Sequence, residues 1–558
     1  MNATLRADAP TLAAPRRVLI LRSSRMPQFA RAVRCARARH PHAQIIALSH
    51  RGHRDALLDA GVDDVIEIPG RRFGVFHVAP FRLLQVRAMG FDEVVIPQMS
   101  AHADLHINLY WIAVAIRADR VVLLPGEEAA QTFERKEFLR WTAHEAWIRA
   151  WLARLDVPIF LGLLAAACVV RRPSGRAVDG RRVRVLHIIS SLGVGGAQVQ
   201  LAELLNRTPT DRYDVELLVL GNSDGDFSRQ WLKRENLSVT YVKEWPRLTP
   251  SVREIMRRCK AGRYDMVHTW LFMANMVGAA AARLAGIPLV IGSVRNLSVW
   301  KRERWYRKWW HRLGDVLGSH AADVVTVNAN ALVADHATWA LMRRSAIRVV
   351  HNGLDPASFG SDRVASRQAL LQLTGAPSSA RLVGTVGRLA HEKDQATFLR
   401  MIAEVRAQRP DVHGVVIGDG ELRAGLEQLA RELGLDGAVT FLGSRSDARR
   451  LMAGLDLFVL TSRSEGFPNV LLEATFLEVP CVATNIAGNP DVLEREESLF
   501  PEGDWESGAY RVLQTLSNPA VTAERTAAVR ARAMQLFTSE RSVRTWLELY
   551  DQSLSNAA

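Results

Sequence analysis

Leu457 to Glu473 reads LFVLTSRSEGFPNVLLE, and this stretch decides the fold. Leu457-Phe458-Val459-Leu460 is an unbroken apolar run bounded by Thr461 and Ser462, the pattern of a strand buried on both faces of a parallel sheet. Ser462 to Phe467 then form a loop. Pro468 falls where a first helical position suits its fixed φ and missing N–H. Val470, Leu471, Leu472, Ala474 and Phe476 carry the helix onward. The amides of Asn469, Val470 and Leu471 have no partner inside such a helix, so its start is suited to an anion.

Glu465 and Glu473 flank that helix start. Isolated glutamates are mostly solvated, but two beside an anion-binding end fit a sugar nucleotide: the diphosphate takes the amides and the carboxylates accept sugar hydroxyls. Outward from here, the strand Leu382 to Gly387 is followed by Arg388 and Lys393, five apart. Arginine grips a diphosphate through its fork and lysine as a point charge. Further upstream, the strand Val183 to Ile189 runs into Gly193-Val194-Gly195-Gly196, whose glycines let backbone approach a phosphate at the next helix start.

Glu465-Gly466-Phe467-Pro468 with Glu473 eight positions on resembles the E-x7-E segment of glycosyltransferase family 4, retaining enzymes of the GT-B fold. Gly387-Arg388-Leu389 with Lys393, Asn352-Gly353-Leu354-Asp355, and Ala487-Gly488-Asn489-Pro490-Asp491 resemble further segments of that family. The last departs conservatively from the family's pattern. The likeness runs from about Val183 to the C-terminus. It implies an N-lobe at 181–360 on the acceptor side, a C-lobe at 361–558 on the donor side, and a helix near Ser539 to Leu554 crossing back.

The resemblance further implies roles. Arg388, Lys393 and Glu465 would be catalytic. Gly195, Gly196, Gly387, Leu442, Gly466, Phe467, Asn469, Val470, Leu471 and Glu473 would join them in donor binding, with Leu442 in the nucleobase-facing strand. His268 and Arg295 lie on the acceptor side; Val294-Arg295-Asn296 stands where many relatives carry a catalysis-linked histidine. Retention without a metal or other cofactor is expected, with a nucleotide-diphosphate sugar as donor and a glycan or lipid-linked acceptor. Polysaccharide, lipopolysaccharide or other cell-envelope assembly is the family-level expectation. Two alternatives stay open: an inert scaffold on the same fold, and a sugar-nucleotide epimerase that needs no acceptor.

The rest of the chain bounds these readings. At 558 residues it exceeds a single core, and three to four domains are expected. Its net charge of +14 is mostly arginine and suits anionic surfaces. No zinc-finger, RNP-like or helix-turn-helix pattern points to nucleic acid. The cysteines Cys35, Cys168, Cys259 and Cys481 are far apart, which fits a reducing compartment. Met1 to Arg17 lacks the apolar core of a signal peptide. The expected location is cytoplasmic, peripheral on the inner face of the membrane.

Residues 1–15 read as disordered, and 16–130 as an accessory Rossmann-like α/β domain of alternating strands and helices, with Arg22-Ser23-Ser24-Arg25 after the first strand. Residues 131–180 read as a membrane-proximal segment and linker. There Phe138, Trp141 and Trp151 share a helical face, and the apolar run Val157 to Val170 is shorter than the ~20 residues of a spanning helix. Trp300 to Leu313, WKRERWYRKWWHRL, reads as a second basic, aromatic segment for an anionic surface.

Overall fold

The computed structural model describes residues 17–22, 26–50, 53–68, 85–98, 107–125, 130–170, 180–193, 195–221, 231–297, 309–360 and 362–557. It divides into two compact units, Met1–Leu155 and Asp156–Ala558.

The first unit is built on β1 (Arg17–Leu21), β2 (Gln44–His50), β3 (Asp64–Ile68), β4 (Glu93–Gln98), β5 (Arg120–Pro125) and β6 (Gln131–Glu134). Their order is β3-β2-β1-β4-β5-β6, parallel except for β6 against β5. Alternation along β1 sends Val18 and Ile20 into one apolar cluster and Leu19 and Leu21 into another. Both faces of the sheet are therefore covered, as a parallel sheet requires. Gly61 and Gly90 end helical turns with positive φ. Ser23 to Arg25 lie outside the described residues.

One helix, Arg135–Val169, lies within the 131–180 segment, continues through the division between Leu155 and Asp156, and carries Pro158 inside it. At its start Phe138 and Trp141 pack with Tyr110 and Phe133 in the first unit's core, ring centroids 5.3–6.0 Å apart. Further on, Phe160, Leu164 and Ala167 are buried in the core of the second unit. Asp156 caps another helix there, accepting from Leu248 N at 2.8 Å and Thr249 N at 2.7 Å. The 131–180 segment is thus divided between two cores. Its apolar residues at 160, 164 and 167 are packing residues. The side chains of Trp147 and Trp151 lie outside the described residues, as do 171–179 and 298–308. No helix among the described residues is long and apolar enough to cross a membrane.

The second unit has two parallel sheets. The N-lobe sheet comprises β7 (Val183–Ile189), β8 (Tyr213–Val219), β9 (Ser238–Tyr241), β10 (Met266–Trp270), β11 (Leu289–Val294), β12 (Val324–Val327) and β13 (Ile347–Val349), ordered β13-β12-β11-β10-β7-β8-β9. The C-lobe sheet comprises β14 (Arg381–Val386), β15 (Val412–Ile417), β16 (Val439–Gly443), β17 (Leu457–Leu460), β18 (Cys481–Thr484) and β19 (Leu499–Phe500), ordered β16-β15-β14-β17-β18-β19. Leu457 to Leu460 are all buried; full burial of each such side chain contributes about 1.5–3 kcal/mol.

The C-terminal helix Ser539–Ala557 returns to the N-lobe. Leu354 N donates to Phe537 O, Ser539 N to Leu354 O, and Ser542 Oγ to His351 O. Gly353 makes this docking fit, since a Cβ there would overlap the Thr538 carbonyl. Trp546 and Tyr550 of this helix pack over His268, at ring separations of 4.7 and 5.8 Å.

Candidate active site

In an open parallel sheet, ligands gather beyond the strand ends where the strand order reverses. In the C-lobe that point lies between β14 and β17, which are adjacent in the sheet but far apart in sequence. The loop after β14 carries Gly387, Arg388 and Lys393; the loop after β17 carries Ser462, Glu465 and Gly466. Thr461 Oγ1 ties the loops together by donating to Lys393 O at 3.1 Å and Asp394 O at 2.9 Å. Arg463 adds an ion pair to Asp394 at 2.8 Å.

The sheet therefore brings together what the sequence holds 72 positions apart: Lys393 Nζ lies 2.5 Å from Glu465 Oε1. Ser462 Oγ donates to the same carboxylate oxygen at 2.6 Å. Arg388 pairs with Glu392, its own side chain 70% exposed and free to swing. Lys393 and Glu465 are enclosed, at 24% and 10%. In water an exposed pair contributes little, but an enclosed charge left without its partner is costly.

The helix Asn469–Phe476 begins one residue later than the sequence suggests. Pro468 is its N-cap and gives no side-chain cap. The first amides, Asn469, Val470 and Leu471, accordingly face a position where an anion can complete them. The side chains of Leu471 and Leu472 are fully buried, so this end acts through backbone. Phe467 contributes no side chain to that end. Its ring is buried against His351 and Phe537, centroids 5.4 and 5.0 Å away, so it packs the seam between the lobes.

Glu473 is enclosed and meets Arg449 Nε at 3.0 Å and Nη2 at 2.9 Å. Burial pushes its carboxyl above the usual range, and Arg449 only partly offsets that. Arg449 was not apparent from the sequence. It follows Asp447 in a polar stretch with no motif, and only the fold brings it to Glu473. Leu442, on β16, is half-buried.

The N-lobe closes over this loop. Leu297 N donates to Glu465 O at 3.2 Å. A Cβ on Gly466 would overlap the Arg295 carbonyl oxygen, so only glycine lets the two backbones meet there. Asn352 Nδ2 donates to Asn469 Oδ1 at 2.7 Å and Phe467 O at 3.2 Å. Asn469 Nδ2 reaches Gly196 O at 3.4 Å, placing the glycine-bearing helix Gly196–Arg207 opposite the C-lobe helix tip. Gly195 is its N-cap; Val194 lies outside the described residues.

His268 corrects a second assignment. It lies within β10 and is fully buried. Nδ1 meets Tyr550 Oη at 2.6 Å and Nε2 meets Ser293 Oγ at 2.8 Å. Burial holds it well below the ordinary histidine range. It is a neutral core residue beneath the C-terminal helix, closed off from an acceptor. Arg295 lies at the seam between the lobes, hydrogen-bonded to Asn352 at 2.9 Å.

Two family models match the second unit in succession: Glycosyltransferase Family 4 over residues 194–358 and Glycosyl transferases group 1 over 366–534. The Vi polysaccharide biosynthesis protein VipC/TviE of Salmonella typhi is 27% identical over 313 residues, covering 53% of this chain and 54% of that protein. The chain thus spans about half the length of that relative. The UDP-Gal:alpha-D-GlcNAc-diphosphoundecaprenol alpha-1,3-galactosyltransferase of Escherichia coli is 25% identical over 330 residues, covering 57% of this chain and 82% of the relative. Among solved structures, Anabaena Alr3699/HepE in complex with UDP-glucose superposes with a TM-score of 0.58 at 23% identity, over 66% of this chain and all of that one.

Proposed function

The chain belongs to glycosyltransferase family 4 and is a glycosyltransferase of the GT-B fold, and from that premise we propose that it moves a sugar, with retention and without a metal, from a nucleotide-diphosphate sugar to a glycan or lipid-linked acceptor. The observation that carries this reading is the Lys393–Glu465 pair at the C-lobe switch point, four residues before an uncapped helix start.

Without ligand, Lys393 and Glu465 neutralise each other. An arriving diphosphate offers Lys393 a stronger anion and leaves Glu465 free to accept from a hydroxyl of the transferred sugar. As the sugar–phosphate bond breaks, charge grows on the leaving diphosphate. Lys393, Arg388 after it leaves Glu392, and the 469–471 amides are placed to stabilise that charge, the kind of fixed electrostatic aid that most lowers a barrier. Glu473 is the residue for the ribose hydroxyls, held in place by Arg449. A second carboxylate placed as a nucleophile about 5 Å from an acid, as in retaining hydrolases, is not part of this reading. The acceptor hydroxyl oxygen attacks from the face the diphosphate leaves, and its proton passes to the departing phosphate oxygen.

The acceptor class is supported by the E. coli relative, whose name describes a diphosphoundecaprenol acceptor, and by the Salmonella relative's place in polysaccharide synthesis. A cytoplasmic site at an anionic membrane surface suits such an acceptor and the chain's net charge of +14. The test is a melting-temperature panel with UDP, GDP and ADP, followed by transfer assays with sugar nucleotides of the base that binds. A bound nucleotide raises the melting temperature by mass action. Transfer that persists in EDTA and keeps the anomeric configuration supports the reading. No response to any of the three nucleotides sinks it, and product formed without an acceptor points to an epimerase.

A further inference from the structure

Arg295 differs from the other charged residues around the cleft. It follows β11 and is 7% exposed, and no carboxylate pairs with it among the described residues. Its guanidinium lies over two indoles, 4.4 Å from the Trp270 ring centroid and 5.5 Å from that of Trp546. Nη1 donates to Asn352 Oδ1 at 2.9 Å, whereas Nε and Nη2 are buried without a hydrogen-bond partner. Its neighbours His268 and Tyr550 are held in their neutral forms by burial. An enclosed cation of this kind costs free energy unless an anion balances it. Burial pulls its pKa down to about 9, in line with that cost.

What Arg295 holds shows which anion. Asn352 Oδ1 accepts from Arg295 and, at 3.4 Å, from Asn328 Nδ2. With its oxygen so occupied, the amide must turn Nδ2 the other way, where it holds Phe467 O and Asn469 Oδ1. Asn469 is the first residue of the uncapped C-lobe helix. Two positive features, a guanidinium and the positive end of a helix dipole, are thus joined through one asparagine, with no anion between them among the described residues. Two like features fixed together in this way form a site that an anion completes.

We propose that Arg295 is a positioning residue for the donor: through Asn352 it sets the start of the 469–476 helix, and its charge is balanced only when the diphosphate occupies that helix start. This rests on the sugar-nucleotide reading above and adds to it an N-lobe residue that acts on a C-lobe phosphate site. The arrangement trades stability of the empty protein for affinity.

The test uses the full chain with UDP, or with GDP or ADP if one of those is the nucleotide that binds. Arg295→Gln keeps a donor for Asn352 and removes the charge; Arg295→Lys keeps the charge and loses the fork. The Gln variant should melt higher than wild type when empty, bind the nucleotide about 10-fold more weakly, and show a smaller nucleotide-induced rise in melting temperature. The Lys variant should recover most of the affinity. A purely structural arginine gives the opposite sign, so an empty Gln variant that melts lower or does not fold overturns the proposal, as does unchanged affinity. If wild type binds none of the three nucleotides, the donor reading falls and takes this one with it. If wild type binds and the Gln variant binds equally well, only this proposal falls.

Discussion

The two sides of the cleft handle charge differently. On the C-lobe side every assigned charge is matched: Lys393 with Glu465, Arg388 with Glu392, Arg449 with Glu473. On the N-lobe side Arg295 stands among indoles and neutral polar groups. The matched side keeps its cations and carboxylates in place without ligand and releases them by exchange of partners. The unmatched side cannot relax that way. The difference separates residues whose removal breaks the chemistry from one whose removal relieves the empty protein.

The largest effect should come from breaking the matched side. Lys393→Ala removes a cation from the leaving diphosphate and strands Glu465, which is 10% exposed; turnover should fall on the order of 100-fold or more, the scale of a single charge-stabilising group. Single-turnover rates at saturating donor measure this, and near-wild-type turnover would remove Lys393 from the mechanism. Glu473→Ala should cost a similar factor in kcat/KM, carried by donor KM to the extent that ribose contacts are equal in ground and transition states. Arg449→Ala should reproduce part of that loss, about 10-fold, because it only orients Glu473. An Arg449 effect equal to that of Glu473 would mean Arg449 touches the donor itself.

Gly466→Ala tests the seam between the two sides. The added Cβ meets the backbone of Arg295, which cannot rotate away as a side chain can. The lobes must separate locally, at a cost of about 1–3 kcal/mol typical of overpacking. A lowered melting temperature with at least a 10-fold loss of kcat/KM is expected. Full activity would show that the contact between Gly466 and Arg295 is dispensable.

The sequence disclosed the strands and the C-lobe site for one physical reason. Buried parallel strands such as Leu457–Leu460 and Val183–Ile189 are unbroken apolar runs, and their C-terminal loops carry the site residues within a few positions. It disclosed less where a role depends on distant packing. His268 sits in an apolar strand like its neighbours, and nothing local reveals that Trp546 and Tyr550, far along the chain, will cover it. Arg449 is equally invisible, as is the pairing of Asn352 with Asn469 across 117 positions. The 131–180 region is ambiguous for a different reason. Apolar residues at helical spacing look the same whether lipid or protein covers them, and Phe160, Leu164 and Ala167 are covered by protein. Pro158 lies inside that helix, which continues through it.

The smallest expected effect sharpens the comparison within the C-lobe itself, between two enclosed carboxyls of opposite tendency. Burial raises Glu473 above its ordinary 4.5 despite Arg449. Burial also opposes ionisation of Asp491, but hydrogen bonds from His351 and Asn330 outweigh it and hold that carboxyl below 3.8. For Glu473 the folded state binds more protons between 4.5 and the raised value, so its contribution to stability falls as pH rises through that window. For Asp491 the folded state binds fewer protons between the lowered value and 3.8, so its contribution is present above 3.8 and is lost as pH falls through the lowered value. Urea unfolding of wild type, Glu473→Gln and Asp491→Asn across pH 3 to 7 reads each carboxyl, together with any partner coupled to it, as the difference between wild type and variant. Relative to wild type, the Gln variant should gain stability with rising pH and the Asn variant should lose it. Two gaps that move in the same direction would mean that hydrogen bonding does not outweigh burial at Asp491, or that Arg449 outweighs it at Glu473.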